Sequence, residues 1–164
     1  MRTLPGVAEH GGFDALVIRT DYHDEAGWRA VVAELGKPWG DRRYEPLVHF
    51  VDDPVWADAT ADEVAAEVRS GENPSVVFLA DRTTMRSAPR TLLAVTAVRR
   101  EDHEDHEEDG EDGDYALTTR YGRSFRTLPT GVHEIHANLS IANMGFEEFA
   151  RAAQDDPDGI FRSF

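Results

Sequence analysis

The sequence predicts an α/β domain, a two-layer or three-layer sandwich on a mixed sheet with elements in the order βαβαβββα, parallel in its N-terminal half and antiparallel in its C-terminal half. Three observations lead there. The apolar runs "ALVIR", "LVHFV" and "SVVFLA" have strand length and are continuous rather than alternating, as strands buried on both faces require. Between them the apolar spacing changes to that of helices. After the third run only "RTTMRSAPR" precedes the next apolar run, which is too short for a helical crossover and fits a turn into an antiparallel neighbour.

The elements follow in order. Residues 1–12, with Pro5 and the Gly11-Gly12 pair, read as a loose N-terminal arm, and residues 13–164 as one domain. The first strand, "DALVIRT", leads to a helix whose Trp28, Val31, Val32 and Leu35 fall at i, i+3, i+4 and i+7. Asp21 is its expected N-cap with Asp24 three positions on, and Gly36 with Pro38 ends it. "LVHFV" is the second strand, Asp52-Asp53-Pro54 a turn, and Thr60-Ala61-Asp62-Glu63 a capping box for a helix burying Val64, Ala65 and Val68. Val76–Ala80 is the third strand. Two strand-helix-strand units in succession imply three parallel strands, because right-handed crossovers lay the helices over the sheet. "TLLAVTAV" and "YALTTRYGRSFRTLP" supply the later strands, and "NMGFEEFARAA" a helix with Asn143 as expected N-cap and Phe146, Phe149, Ala150 and Ala153 inward.

Composition excludes several functions. A chain of 164 residues suits a single core. Cysteine is absent, which removes disulfides, thiolate metal sites and thiol catalysis. Met1–Gly12 lacks a signal-peptide core, and nowhere do about 18 apolar residues run together, so a cytoplasmic protein without a membrane span is expected. The formal charge is −15, but ten of the acids lie in "EDHEDHEEDGEDGD", Glu101–Asp114; without them it is −5. That run reads as a solvated hairpin insertion at about 99–114. The acidity argues against gripping a nucleic-acid backbone. Arg120, Arg123 and Arg126, interleaved with Tyr121 and Phe125, have the ten upstream carboxylates as ready counterions. Lys37 is the single lysine among 17 basic residues, a usage typical of GC-rich genomes.

Each parallel strand ends on acid: Asp21, Asp52 with Asp53, and Asp81. Ligands of open parallel sheets bind beyond the carboxyl ends of the strands, so these four acids are expected at one rim. Carboxylates brought together repel unless something offsets their charge. A magnesium ion held by Asp21, Asp53 and Asp81 would do so; so would Arg19, Arg82 or Arg86, or a basic partner. The plainer role of such residues is to cap helices and shape turns. "ADRTTM" resembles phosphatase loops with an aspartate nucleophile, but Thr83 stands where those loops carry a second acid. His133 and His136, three apart in "HEIHANLS", could share a helix face and hold zinc with a third ligand, none of which is evident; a surface pair is the simpler reading. His103 and His106 fall within the acidic run. Neither a phosphate-binding glycine loop nor a nucleophile elbow is present.

"LVIRTDYHDEAGW", "FVDDP", "NLSIANMGFEEFA" (Asn138–Ala150) and the terminal "GIFRSF" together resemble an uncharacterised family of small actinobacterial domains with a very similar "NLSIANMDFEEF" ending. The resemblance spans roughly Ala15–Phe164 and implies no activity. Asn138 and Asn143, which fall within the third of these stretches, are also candidate binding residues, and beside the family the long acidic run looks like an insertion into a shorter hairpin.

Two functions follow as expectations. The first is a non-catalytic acidic module, of immunity or antitoxin type, docking a basic protein through Asp21, Asp52, Asp53 and Asp81, with Arg82 at the same rim and Trp56 or Trp39 as an anchor. The second is a small magnesium-dependent enzyme on a phosphorylated or anionic substrate, with Asp21, Asp53 and Asp81 around the metal and Arg82 or Arg126 on the substrate. No catalytic set in the sequence selects the second.

Overall fold

The computed structural model describes residues 14–68, 76–97, 116–141 and 143–164. The expected N-terminal arm at 1–12 and the acidic insertion at about 99–114 lie outside them. One six-stranded sheet runs through the molecule in the order β2-β1-β3-β4-β5-β6. β1 (Ala15–Arg19) lies parallel between β2 (Val48–Val51) and β3 (Val76–Ala80). β4 (Leu92–Thr96) and β5 (Ser124–Thr127) are antiparallel to their predecessors, and β6 (Ile160–Phe161), formed by the terminal "GIF", adds in parallel to β5.

The continuous apolar runs are explained by cover on both faces. Ala15, Val17, Phe78, Leu92 and Ala94 point to one side, where α1 (Glu25–Leu35), α4 (Pro129–Ser140) and α5 (Phe146–Asp155) supply Trp28, Val31, Leu35, Val132, Ile135, Phe146 and Phe149. Leu16, Ile18, Val77, Leu79 and Val95 point to the other, against Val64, Ala65 and Val68 of α2 (Ala61–Val68) and against Trp56. β1 and β3 are therefore buried throughout, each large side chain contributing about 1.5–3 kcal/mol. The layers are three: helices, sheet, helix.

Two helix starts differ from expectation. The N-cap of α1 is Asp24, whose Oδ1 accepts from Gly27 N at 2.8 Å, while the Asp21 Oδ1 accepts from His23 N and so shapes the turn before the helix rather than its start. α5 begins at Phe146 rather than beside Asn143; Gly145 is its N-cap residue and donates its N–H to Glu148 Oε2 at 2.9 Å. The Thr60 cap of α2 is as expected, with Glu63 N donating to Thr60 Oγ1 at 3.2 Å. α4 is absent from the expected element order, in which 129–140 is assigned to no element. Its signals are present in Pro129 at the first helical position and in Val132, Ile135 and Leu139 at helical spacing. Between β3 and β4 the short link holds one further turn of helix, α3 (Arg82–Arg86), and a cis Ala88–Pro89 peptide bond.

Candidate functional site

The three parallel strands all end at one rim. The connection after β1 carries α1 to one face and that after β2 carries α2 to the other, so the winding reverses at β1, between β2 and β3. A reversal of this kind leaves a crevice at the carboxyl ends of the strands. Thr20 N donates to Ala80 O at 3.0 Å across the β1–β3 boundary, and Asp58 N donates to Thr20 O at 2.9 Å, which brings the loop after β2 to the same place.

On the β1–β2 side the rim is organised by Arg19, the last residue of β1, which is only 3% exposed. A buried guanidinium needs partners on every donor. Nε donates to Asp21 O at 2.9 Å, and Nη1 lies 2.9 Å from Glu25 Oε2 and 3.3 Å from Asp52 Oδ1. Its Cζ sits 4.3 Å from the Tyr22 ring centre and 5.4 Å from that of Trp28, so the cation is flanked by aromatic faces as well. Glu25 and Asp52 remain exposed at 58% and 43%. Two carboxylates are thereby held side by side at the surface by one buried cation. The Tyr22 hydroxyl is buried without a hydrogen bond; Asp52 acts on it by charge although its geometry falls short of a hydrogen bond. Burial first, and Asp52 second, push the Tyr22 phenol well above its ordinary pKa.

On the β3 side the rim is organised by Asp81. Its Oδ1 accepts from Thr84 N at 3.1 Å, which caps α3, and Asp81 N donates back to Thr84 Oγ1 at 3.1 Å. Thr84 Oγ1 in turn donates to Thr91 O at 2.7 Å. Arg126 of β5 grips both oxygens of Asp81. Burial alone would raise the Asp81 pKa; the Arg126 and Thr84 hydrogen bonds outweigh it and hold the carboxyl below its ordinary value. Beyond Asp81, Arg82, Thr83, Arg86 and Ser87 line an open depression of about 340 Å3.

The expected site residues thus divide. Asp52 and Asp53 stand at the rim, Asp53 turning its Oδ1 to accept from Val55 N at 3.0 Å. Asp21 reaches the same rim but is buried, and its Oδ1 accepts from His23 N at 3.2 Å. Asp21, Asp53 and Asp81 do not converge: among the described residues no group of three or more His, Asp or Glu is arranged to hold a metal ion. Trp56 is corrected from rim anchor to core, being wholly buried against the α2 face of the sheet. Asn138, in the last turns of α4, and Asn143, in the link to α5, are far along the chain and bond to each other, Asn143 Nδ2 donating to Asn138 Oδ1 at 2.8 Å and Asn138 Nδ2 to Glu134 O at 2.8 Å. His133 is no surface residue either. It is 4% exposed and stacked on Trp39 with ring centres 5.6 Å apart, and burial lowers its pKa. Glu25 and Tyr22 were missed as rim residues, because their role depends on Arg19 being buried, which no local pattern announces.

No helix among the described residues is long and apolar enough to cross a membrane. No curated protein and no solved structure matches the chain. A family model described as a domain of unknown function, DUF6924, matches residues 14–164, which includes every strand and helix of the sheet and its rim, and the chain belongs to that family.

Proposed function

We propose that the protein is a non-catalytic binding module that docks a basic protein partner at the rim of β1 and β2, in the manner of an immunity or antitoxin-type inhibitor, in the cytoplasm of an actinobacterium. The observation that supports this reading is the pairing of exposed Glu25 and Asp52 on buried Arg19. A carboxylate pair fixed in place before encounter loses little side-chain freedom on binding, and a basic side chain of the partner finds two acceptors already oriented. Asp53 and exposed Asp58 extend the same acidic edge. Opposite charge accelerates encounter, and the formal charge of −15 works in the same direction.

The test is to co-express the chain with basic proteins encoded beside its gene and to measure complex formation by calorimetry at low and high salt. Binding that weakens with salt, and that falls about tenfold or more in the Asp52→Asn/Asp58→Asn variant, is the expected result. A complex whose affinity is indifferent to both changes would place the interface elsewhere.

A further inference from the structure

We propose that the outer face of α3 is an oxyanion site for a phosphate-class dianion, either inorganic phosphate or the phosphoryl group of a phosphomonoester, bound without a metal by Arg82, Arg86, Thr83 and Ser87. These four residues line one depression of about 340 Å3, at the small end of ligand pockets, which start at roughly 300 Å3. Arg82 and Arg86 are four apart on a helix and so are neighbours on its surface; like charges at that spacing repel. Among the described residues neither has an acidic partner, in a chain where acids outnumber basic residues 32 to 17. Two unpaired guanidinium groups side by side balance one dianion, and their forked donors match its oxygens.

Two further features select this place. The Ser87 Oγ is buried and has no hydrogen-bond partner, and rotation about the Ser87 Cα–Cβ bond would turn it into the depression that this residue lines, where a ligand oxygen relieves that cost. Asp81, the nearest acid along the chain, has both oxygens committed to Arg126 and Thr84, so its charge is offset where it would otherwise repel an anion. The helix itself is held rigidly: Thr84 ties it to Thr91 O, and Arg90 donates to Met85 O. It also follows directly from β3, the strand bordering the winding reversal, where ligands of such sheets collect. The overall negative charge opposes anion approach only weakly, since exposed charges more than about 8 Å away are screened at physiological salt.

The experiment follows backbone amide signals of the full chain by two-dimensional NMR during titration with sodium phosphate, ionic strength being held constant with sodium chloride. Saturable shifts confined to Thr83–Ser87 and their neighbours, with a Kd in the range of about 1 mM, are expected. The affinity should fall at least about tenfold in Arg82→Gln and in Arg86→Gln, while Arg162→Gln, at a residue that is paired with Asp156 and Asp158 and does not line the depression, leaves it unchanged. Glycerol 3-phosphate in a parallel titration separates the two sources: tighter binding than phosphate assigns the site to a phosphomonoester, equal or weaker binding to the free ion. Absence of saturable shifts up to about 20 mM phosphate, or equal affinity in the arginine variants, overturns the proposal.

Discussion

Arg126 and Asp81 form a two-point pair, Nη1 donating to Oδ1 at 2.8 Å and Nη2 to Oδ2 at 2.7 Å. Arg126 stands opposite Leu93 on β4, and Leu93 stands opposite Leu79 on β3, so one rung of the sheet carries the guanidinium across β4 to the acid two residues beyond Leu79. The pair ties the antiparallel half of the sheet to the end of the parallel half, and it occupies the carboxylate that would otherwise be the reactive group of the "ADRTTM" loop.

Because the folded-state pKa of Asp81 is lowered, its contribution to stability is present above the ordinary carboxylate value, about 3.9, and is lost as pH falls through the lower folded value. Replacing Arg126 by Met should cost about 2 kcal/mol at pH 7. The cost should shrink as the solution is acidified below that ordinary value. Urea unfolding of wild type and Arg126→Met at neutral and acidic pH measures both, and the comparison cancels the parallel loss from Asp156, whose pKa is also lowered. A pH-independent difference would mean that Asp81 is not charged against Arg126.

His133 gives a second pH response at a different place. Burial under Trp39 opposes its charged form, and this outweighs its hydrogen bond to the Leu35 carbonyl. A depressed folded pKa means stability that is intact above the ordinary histidine value, about 6.5, and lost as pH falls from there through the folded value. Wild type should therefore lose more stability than His133→Gln between neutral pH and pH of about 5. Parallel slopes for the two proteins in denaturant titrations would contradict the assignment.

Gly131 tests the packing of α4 against β6. A Cβ there would collide with Thr127 Oγ1 and lie 2.9 Å from Phe161 Cδ1. Both neighbours are buried; Thr127 is fixed by its own hydrogen bonds and Phe161 by ring contacts with Phe125 and Phe149. Alanine favours a helix by about 1 kcal/mol over glycine, and overpacking costs typically 1–3 kcal/mol. Gly131→Ala is expected to lower stability by about 1 kcal/mol, read as a reduced urea midpoint with unchanged slope. A rise in the midpoint would show that the C-terminal strand yields easily.

Local patterns in the chain were sufficient for the parallel half of the sheet, the inward faces of α1, α2 and α5, the Thr60 cap, and the delivery of Asp21, Asp52, Asp53 and Asp81 to strand ends. These features are encoded within a few residues, by apolar period and by turn chemistry, and so are legible in the chain alone. Tertiary structure alone decided the partners. Arg19 meets Asp52 across 33 positions and Arg126 meets Asp81 across 45, distances closed only by strand register. It likewise decided that Trp56 and His133 are buried and that the three acids of the expected metal set stand apart. Burial and charge pairing are sums over neighbours from distant segments, and no stretch of sequence contains those neighbours.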